Sequence, residues 1–186
     1  LLGWSTGTIS SWRLWPLAVS ALGAALTVTP FIWRQRRGLG ALLIPGLPIL
    51  VSGGLLLFSS VFDAWATWAW SWPAIVLALG LGFGFAALWT RAPALLIPAV
   101  LILVNGLVFQ FCAVTGWWSG WAFFWTLEPL ALGAALLLFN LKHRKRGLVI
   151  TGAILIAIAT VSMIGMSALF TGSWLIQALG PLVMLG

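Results

Sequence analysis

Six apolar runs of about twenty residues each, parted by short turns, leave this chain few ways to fold. In hydrocarbon every backbone N–H and C=O must be paired within the protein, which restricts spanning segments to helices and closed barrels. A helix rising 1.5 Å per residue needs about 20 apolar residues to cross a core of roughly 30 Å. The runs at 15–33, 39–62, 72–90, 94–114, 121–141 and 148–170 meet that length as helices. A seventh run starts at Trp174. The expectation is an all-α, polytopic transmembrane helical bundle of six spans plus the start of a seventh. Because the chain begins at Leu1 and stops at Gly186 within an apolar run, it is expected to be a piece of a longer polypeptide.

Composition supports this class. Hydrophobic residues make up 62% and charged residues 6% of the 186, whereas soluble domains carry about 25% charged residues. Disorder needs the opposite balance. The net charge of +7 would suggest nucleic acid in a soluble protein. Here the basic residues sit in turns between apolar runs, so the bilayer is the expected partner and nucleic acid is not.

The same charges orient the chain. Arg34, Arg36 and Arg37 follow the first run, Arg91 the third, and Lys142, Arg144, Lys145 and Arg146 the fifth. By the positive-inside rule these turns face the cytoplasm. The opposite turns, rich in tryptophan, and the N-terminal segment 1–11 then face outward, which fits the bacterial cytoplasmic membrane.

An internal repeat runs through the transmembrane domain, 12–186. Ala41-Leu42-Leu43-Ile44-Pro45 recurs 53 residues later as Ala94-Leu95-Leu96-Ile97-Pro98, and more weakly as Gly147-Leu148-Val149-Ile150-Thr151. Trp15, Trp72 and Trp125 each precede an Ala-Leu-Gly triplet at one offset, and Trp174 precedes a shorter version. A fixed period marks a repeated structural unit. The unit is a two-helix hairpin, with copies at about 12–68, 69–121 and 122–172 and a partial copy at 173–186. All copies run in one direction, unlike the inverted repeats of many transporters.

The segment Trp12-Arg13-Leu14-Trp15-Pro16-Leu17, the following Leu22-Gly23 and the basic turn after them resemble the transmembrane region of bacterial cell-wall-stress proteins of the LiaI/LiaF type. The stretch from Thr115 through Gly116-Trp117-Trp118-Ser119-Gly120-Trp121 to Trp125 is similar to the Trp-rich hairpin loops of multi-span relatives of that group. The resemblance implies envelope-stress signalling through partner contacts, without catalysis. Glu128 stands where it implies an apolar residue.

Few side chains able to carry chemistry are present. One cysteine, Cys112, and one histidine, His143, exclude a disulfide framework, a cysteine metal site and bis-histidine haem ligation within this chain. No Walker loop, HExxH or CxxC occurs. Fourteen tryptophans are the main candidates for interaction. Trp65, Trp68, Trp70, Trp72, Trp117, Trp118, Trp121 and Trp125 map to the outer interface. There indole forms an aromatic belt, or a platform for a lipid, a hydrophobic cofactor or a partner subunit. The spacing of Trp68, Trp70 and Trp72 suggests an extended or interfacial segment. Glu128 is the one acid inside an expected span, either favoured by a helix N-terminus and paired with Arg13, or handling a proton or ligand. Asn105 and Gln110 are expected to bond neighbouring helices.

These features favour a non-enzymatic membrane scaffold or accessory subunit that binds partner proteins, lipids or hydrophobic cofactors, whose identity stays open. An envelope-stress sensor is one alternative. A small-solute or lipid transporter using Glu128 is the other.

Overall fold

The computed structural model describes residues 11–183, and among these every regular element is helical. The segment 1–10 with Trp4, and the side chains of Trp12, Lys142 and Trp174, lie outside the described residues. The chain forms two compact units, Leu1–Gly116 and Trp117–Gly186. The first holds α1 (Pro16–Ile32), α2 (Leu43–Phe62), α3 (Trp68–Ser71), α4 (Pro73–Thr90) and α5 (Leu96–Thr115). The second holds α6 (Trp121–Phe124), α7 (Leu127–His143) and α8 (Arg146–Val183).

Local chemistry sets the helix ends. Pro16 and Pro73 open α1 and α4, where a missing N–H costs nothing. The 3-10 turns Arg37–Leu42 and Pro93–Leu95 lead into α2 and α5. Pro45 and Pro98 therefore fall in the first turn of their helices. Four helices stop on a left-handed residue: Asp63 after α2, Arg91 after α4, Gly116 after α5 and Arg144 after α7. Each returns its N–H to a carbonyl four residues back, on Ser59, Ala87, Cys112 and Asn140, as helix C-caps do.

The packing is small inside and large outside. In α1, α2, α4 and α5 the buried positions are mostly Gly, Ala, Ser and Pro. Large apolar side chains point outward on every long helix, from Phe31 on α1 to Leu169 on α8. Small residues let helix backbones approach where lipid offers no hydrophobic drive for association. The approach is close. A Cβ on Gly23 of α1 would collide with the Leu50 backbone of α2, and one on Gly53 would meet the Ser20 nitrogen at 2.5 Å. In the next hairpin Gly80 stands against Leu103 and Gly106 against Leu77. In the second unit Gly133 of α7 stands against Ile156 of α8. Leu50, Leu103 and Ile156 lie 53 residues apart in succession, and so do Gly53, Gly106 and the buried Ala159. Between the hairpins of the first unit, Gly82 of α4 seats on the carbonyls of Leu43 and Ile44. Pro48 leaves the Ile44 carbonyl without its usual N–H partner.

Among the described residues four helical segments are long and apolar enough to cross a membrane: Arg37–Phe62, Pro73–Thr90, Pro93–Thr115 and Arg146–Gly172. A fifth arises if Trp118–Phe124 and Leu127–Leu141, bent by 43°, are taken as one. The run at 121–141 is thus a broken helix and not a straight one. Pro129, two residues into α7, cannot bond back to Trp125, and the break falls at Trp125–Thr126. Helix α1 has 17 residues, about 25 Å. The expected turn ahead of a seventh run is also absent, since the α8 backbone continues through Gly172, Ser173 and Trp174 to Val183. Glycine and serine lower helix propensity but keep their backbone N–H, and the first proline of α8 comes at Pro181.

Candidate functional site

Two tryptophan-rich corners have the same construction. After Asp63 the chain makes a 3-10 turn, Trp65–Thr67, then the single helical turn α3, then Trp72 and α4. After Gly116 it makes a 3-10 turn, Trp118–Gly120, then α6, then Trp125 and Thr126 before α7. Of the extended or interfacial segment expected from Trp68, Trp70 and Trp72, the extended form does not hold, since these residues are wound into a helical turn. At 3.6 residues per turn Trp68 and Trp72 share a side, and Trp70 points about 200° away from Trp68.

The corner indoles divide into anchored and exposed ones. Trp68 donates its Nε1–H to Ser59 Oγ at 2.9 Å. Trp72 stacks obliquely on Phe109 with centroids 5.3 Å apart, and Gln110 Nε2 donates to the Trp70 carbonyl at 2.9 Å. Gln110 thus ties α5 to α3. Asn105 instead bonds the Leu101 carbonyl of its own helix. Trp65 and Trp70 remain about half exposed. In the second unit Trp117 meets Phe124 edge to face at 5.6 Å, and Trp117, Trp118 and Trp125 are exposed while Trp121 is half-buried.

Glu128 lies in the first turn of α7, with its N–H on the Trp125 carbonyl at 3.1 Å. A helix N-terminus favours a carboxylate. Arg13, its expected partner, belongs to the first unit, where its carbonyl accepts from Ser60 Oγ. Cys112 is fully buried in α5. His143 stacks on Phe139 at 4.0 Å, with Nδ1 2.9 Å from the Phe139 carbonyl oxygen.

The basic turns of the first unit gather at one end. Trp89 of α4 lies over Gly40, where a Cβ would meet the indole at 2.7 Å. That contact fixes the turn carrying Arg34, Arg36 and Arg37 beside the end of α4 that carries Arg91, and all four arginines are exposed. In the second unit the turn of Arg144, Lys145 and Arg146 is held by Asn140, whose Oδ1 accepts from the Lys145 N–H at 2.6 Å.

Beside the arginine end of the first unit is a cleft that the sequence did not reveal. Its volume is about 380 Å³, and its walls come from Phe31 of α1, Leu43 and Leu47 of α2, and Phe85, Leu88 and Trp89 of α4. Phe31 and Trp89 meet edge to face at 4.9 Å across it. Thr27 also lines the cleft. Its Oγ1 is buried without a hydrogen-bond partner and would be 2.9 Å from a Cβ on Gly46. The hydroxyl is closed off against Gly46 of α2, and the cleft wall is almost wholly apolar. The one signal for it in the sequence was an apolar cluster within a turn of two basic positions, which three separate helices had to bring together. Among the described residues no group of three metal-ligating side chains occurs. No family model, curated protein or solved structure matches this chain.

Proposed function

We propose that this protein is a non-enzymatic scaffold or accessory subunit of a bacterial cytoplasmic membrane, built of parallel hairpin repeats with six spans. The reading rests on one observation: small residues pack inside while Leu, Ile, Val and Phe face outward along the long helices of both units. Such a surface is stable only against lipid or another apolar protein face. The six spans are the four long segments, the bent α6–α7 pair, and α1 lengthened by the 3-10 turn Ser11–Leu14, which brings it to the core thickness. The matching corners, caps and glycine contacts at one period support the repeat. The basic turns face the cytoplasm and the tryptophan corners face outward, where the half-exposed indoles are available to a partner.

The test is purification from the source membrane in mild detergent, followed by native mass spectrometry. A companion subunit, lipid or hydrophobic cofactor in stoichiometric amount is expected. A protein that arrives bare and monodisperse contradicts the scaffold role.

A further inference from the structure

We infer that the cleft between α1, α2 and α4 holds an acyl chain of one anionic glycerophospholipid, with its phosphate on Arg34, Arg36 and Arg91. The inference rests on the membrane placement proposed above and adds a defined site to it. The cleft is of ligand-site size, about 380 Å³, and its walls are hydrocarbon apart from the sealed Thr27 hydroxyl. It opens sideways, since Phe85 is 50% and Leu88 71% exposed. A chain can therefore enter from the bilayer without leaving hydrocarbon.

Charge selects the headgroup. Phe31 precedes Arg34 by three residues, and Trp89 precedes Arg91 by two. A chain lying in the cleft emerges among these guanidinium groups. A second hollow of about 430 Å³ at the same end of α1 has Arg34 and Arg36 in its wall. Among the described residues of the first unit no carboxylate competes there, because its one acid, Asp63, caps the opposite end of α2. Guanidinium forks match phosphate oxygens in geometry as well as charge. Generic attraction of basic turns to anionic leaflets acts wherever the turn lies. The cleft adds a place for the chain, so retention is expected to be specific to this end of the first unit.

The experiment uses the full chain in detergent with equal amounts of phosphatidylglycerol and phosphatidylcholine of identical acyl chains, read by native mass spectrometry. One retained phosphatidylglycerol is expected, preferred about thirtyfold or more, in line with two or three basic side chains on the phosphate. The combined Arg34→Gln, Arg36→Gln and Arg91→Gln variant should lose that preference. Lys145→Gln with Arg146→Gln, at a basic turn without the cleft, should keep it. Leu47→Trp fills the cleft with every arginine in place, and should lower retention of both lipids. Equal loss in both charge variants, or no effect of Leu47→Trp, overturns the site. A chain that leaves vesicles in alkaline carbonate refutes the membrane placement itself. One that stays embedded without headgroup preference refutes only the lipid site.

Discussion

Val161→Arg is expected to shift the membrane insertion equilibrium of α8 by about a hundredfold. Val161 is 70% exposed and sits near the middle of the apolar stretch Arg146–Gly172. In water such a site tolerates substitution within about 0.5 kcal/mol. At the centre of a bilayer an arginine costs about 2.5–3.5 kcal/mol. The two solvents thus predict opposite outcomes at one position. Val161→Leu is the control, and the inserted fraction of α8 in a translocation assay is the readout. An arginine variant that inserts as well as the leucine variant places this face of α8 in a polar setting.

The second large effect concerns neighbouring glycines. Gly53→Val should destabilise the α1–α2 hairpin by at least about 3 kcal/mol, while Gly54→Val should be nearly neutral after the shared loss of glycine is subtracted. A Cβ on Gly53 would meet Ser20 N at 2.5 Å and Ser20 Cα at 2.7 Å, both backbone atoms that have no rotamer to yield. A Cβ on Gly54 meets nothing within 4 Å. Overpacking against movable side chains costs about 1–3 kcal/mol, and a backbone obstacle lies at or above that range. Gly82 and Gly84 of α4 form a second such pair, with the Leu43 carbonyl facing the first and open space facing the second. Denaturation in mixed detergent micelles measures both pairs. Equal losses at Gly53 and Gly54 would mean that the hairpin does not close on these contacts.

The helical class was legible because apolar length and the spacing of basic turns are properties of the chain alone. Pro16 and Pro73 mark their helix starts for the same local reason. The repeated words around Pro45 and Pro98 likewise fall at equivalent positions of α2 and α5. What escaped the sequence depended on competition between local signals or on tertiary contact. Alternating tryptophans at 68, 70 and 72 imitate a strand, but the turn after Asp63 leads them into a single helical turn. Pro129 reads as a helix-start proline, and the 43° bend it accompanies divides a run that composition shows as continuous. Gly172 and Ser173 look like a turn, yet they carry no signal strong enough to stop α8. The cleft needs Phe31, Leu47 and Trp89 from three helices. Only the seating of Trp89 on Gly40 and of Gly82 on the α2 carbonyls brings them together. Mean hydropathy is high throughout, so no window of sequence distinguishes a cleft wall from a lipid-facing side chain.

The most direct test of the central claim is the sidedness of the turns. With Cys112→Ala as background, single cysteines at Gly38, Thr67, Gly116 and Gly147 are labelled by a membrane-impermeant maleimide in intact cells and in inverted vesicles. Six spans with cytoplasmic basic turns predict that Gly38→Cys and Gly147→Cys react only in inverted vesicles, and that Thr67→Cys and Gly116→Cys react only in intact cells. Reaction of Gly38→Cys and Thr67→Cys from the same face would contradict the crossing of α2, and with it the membrane architecture proposed for the chain.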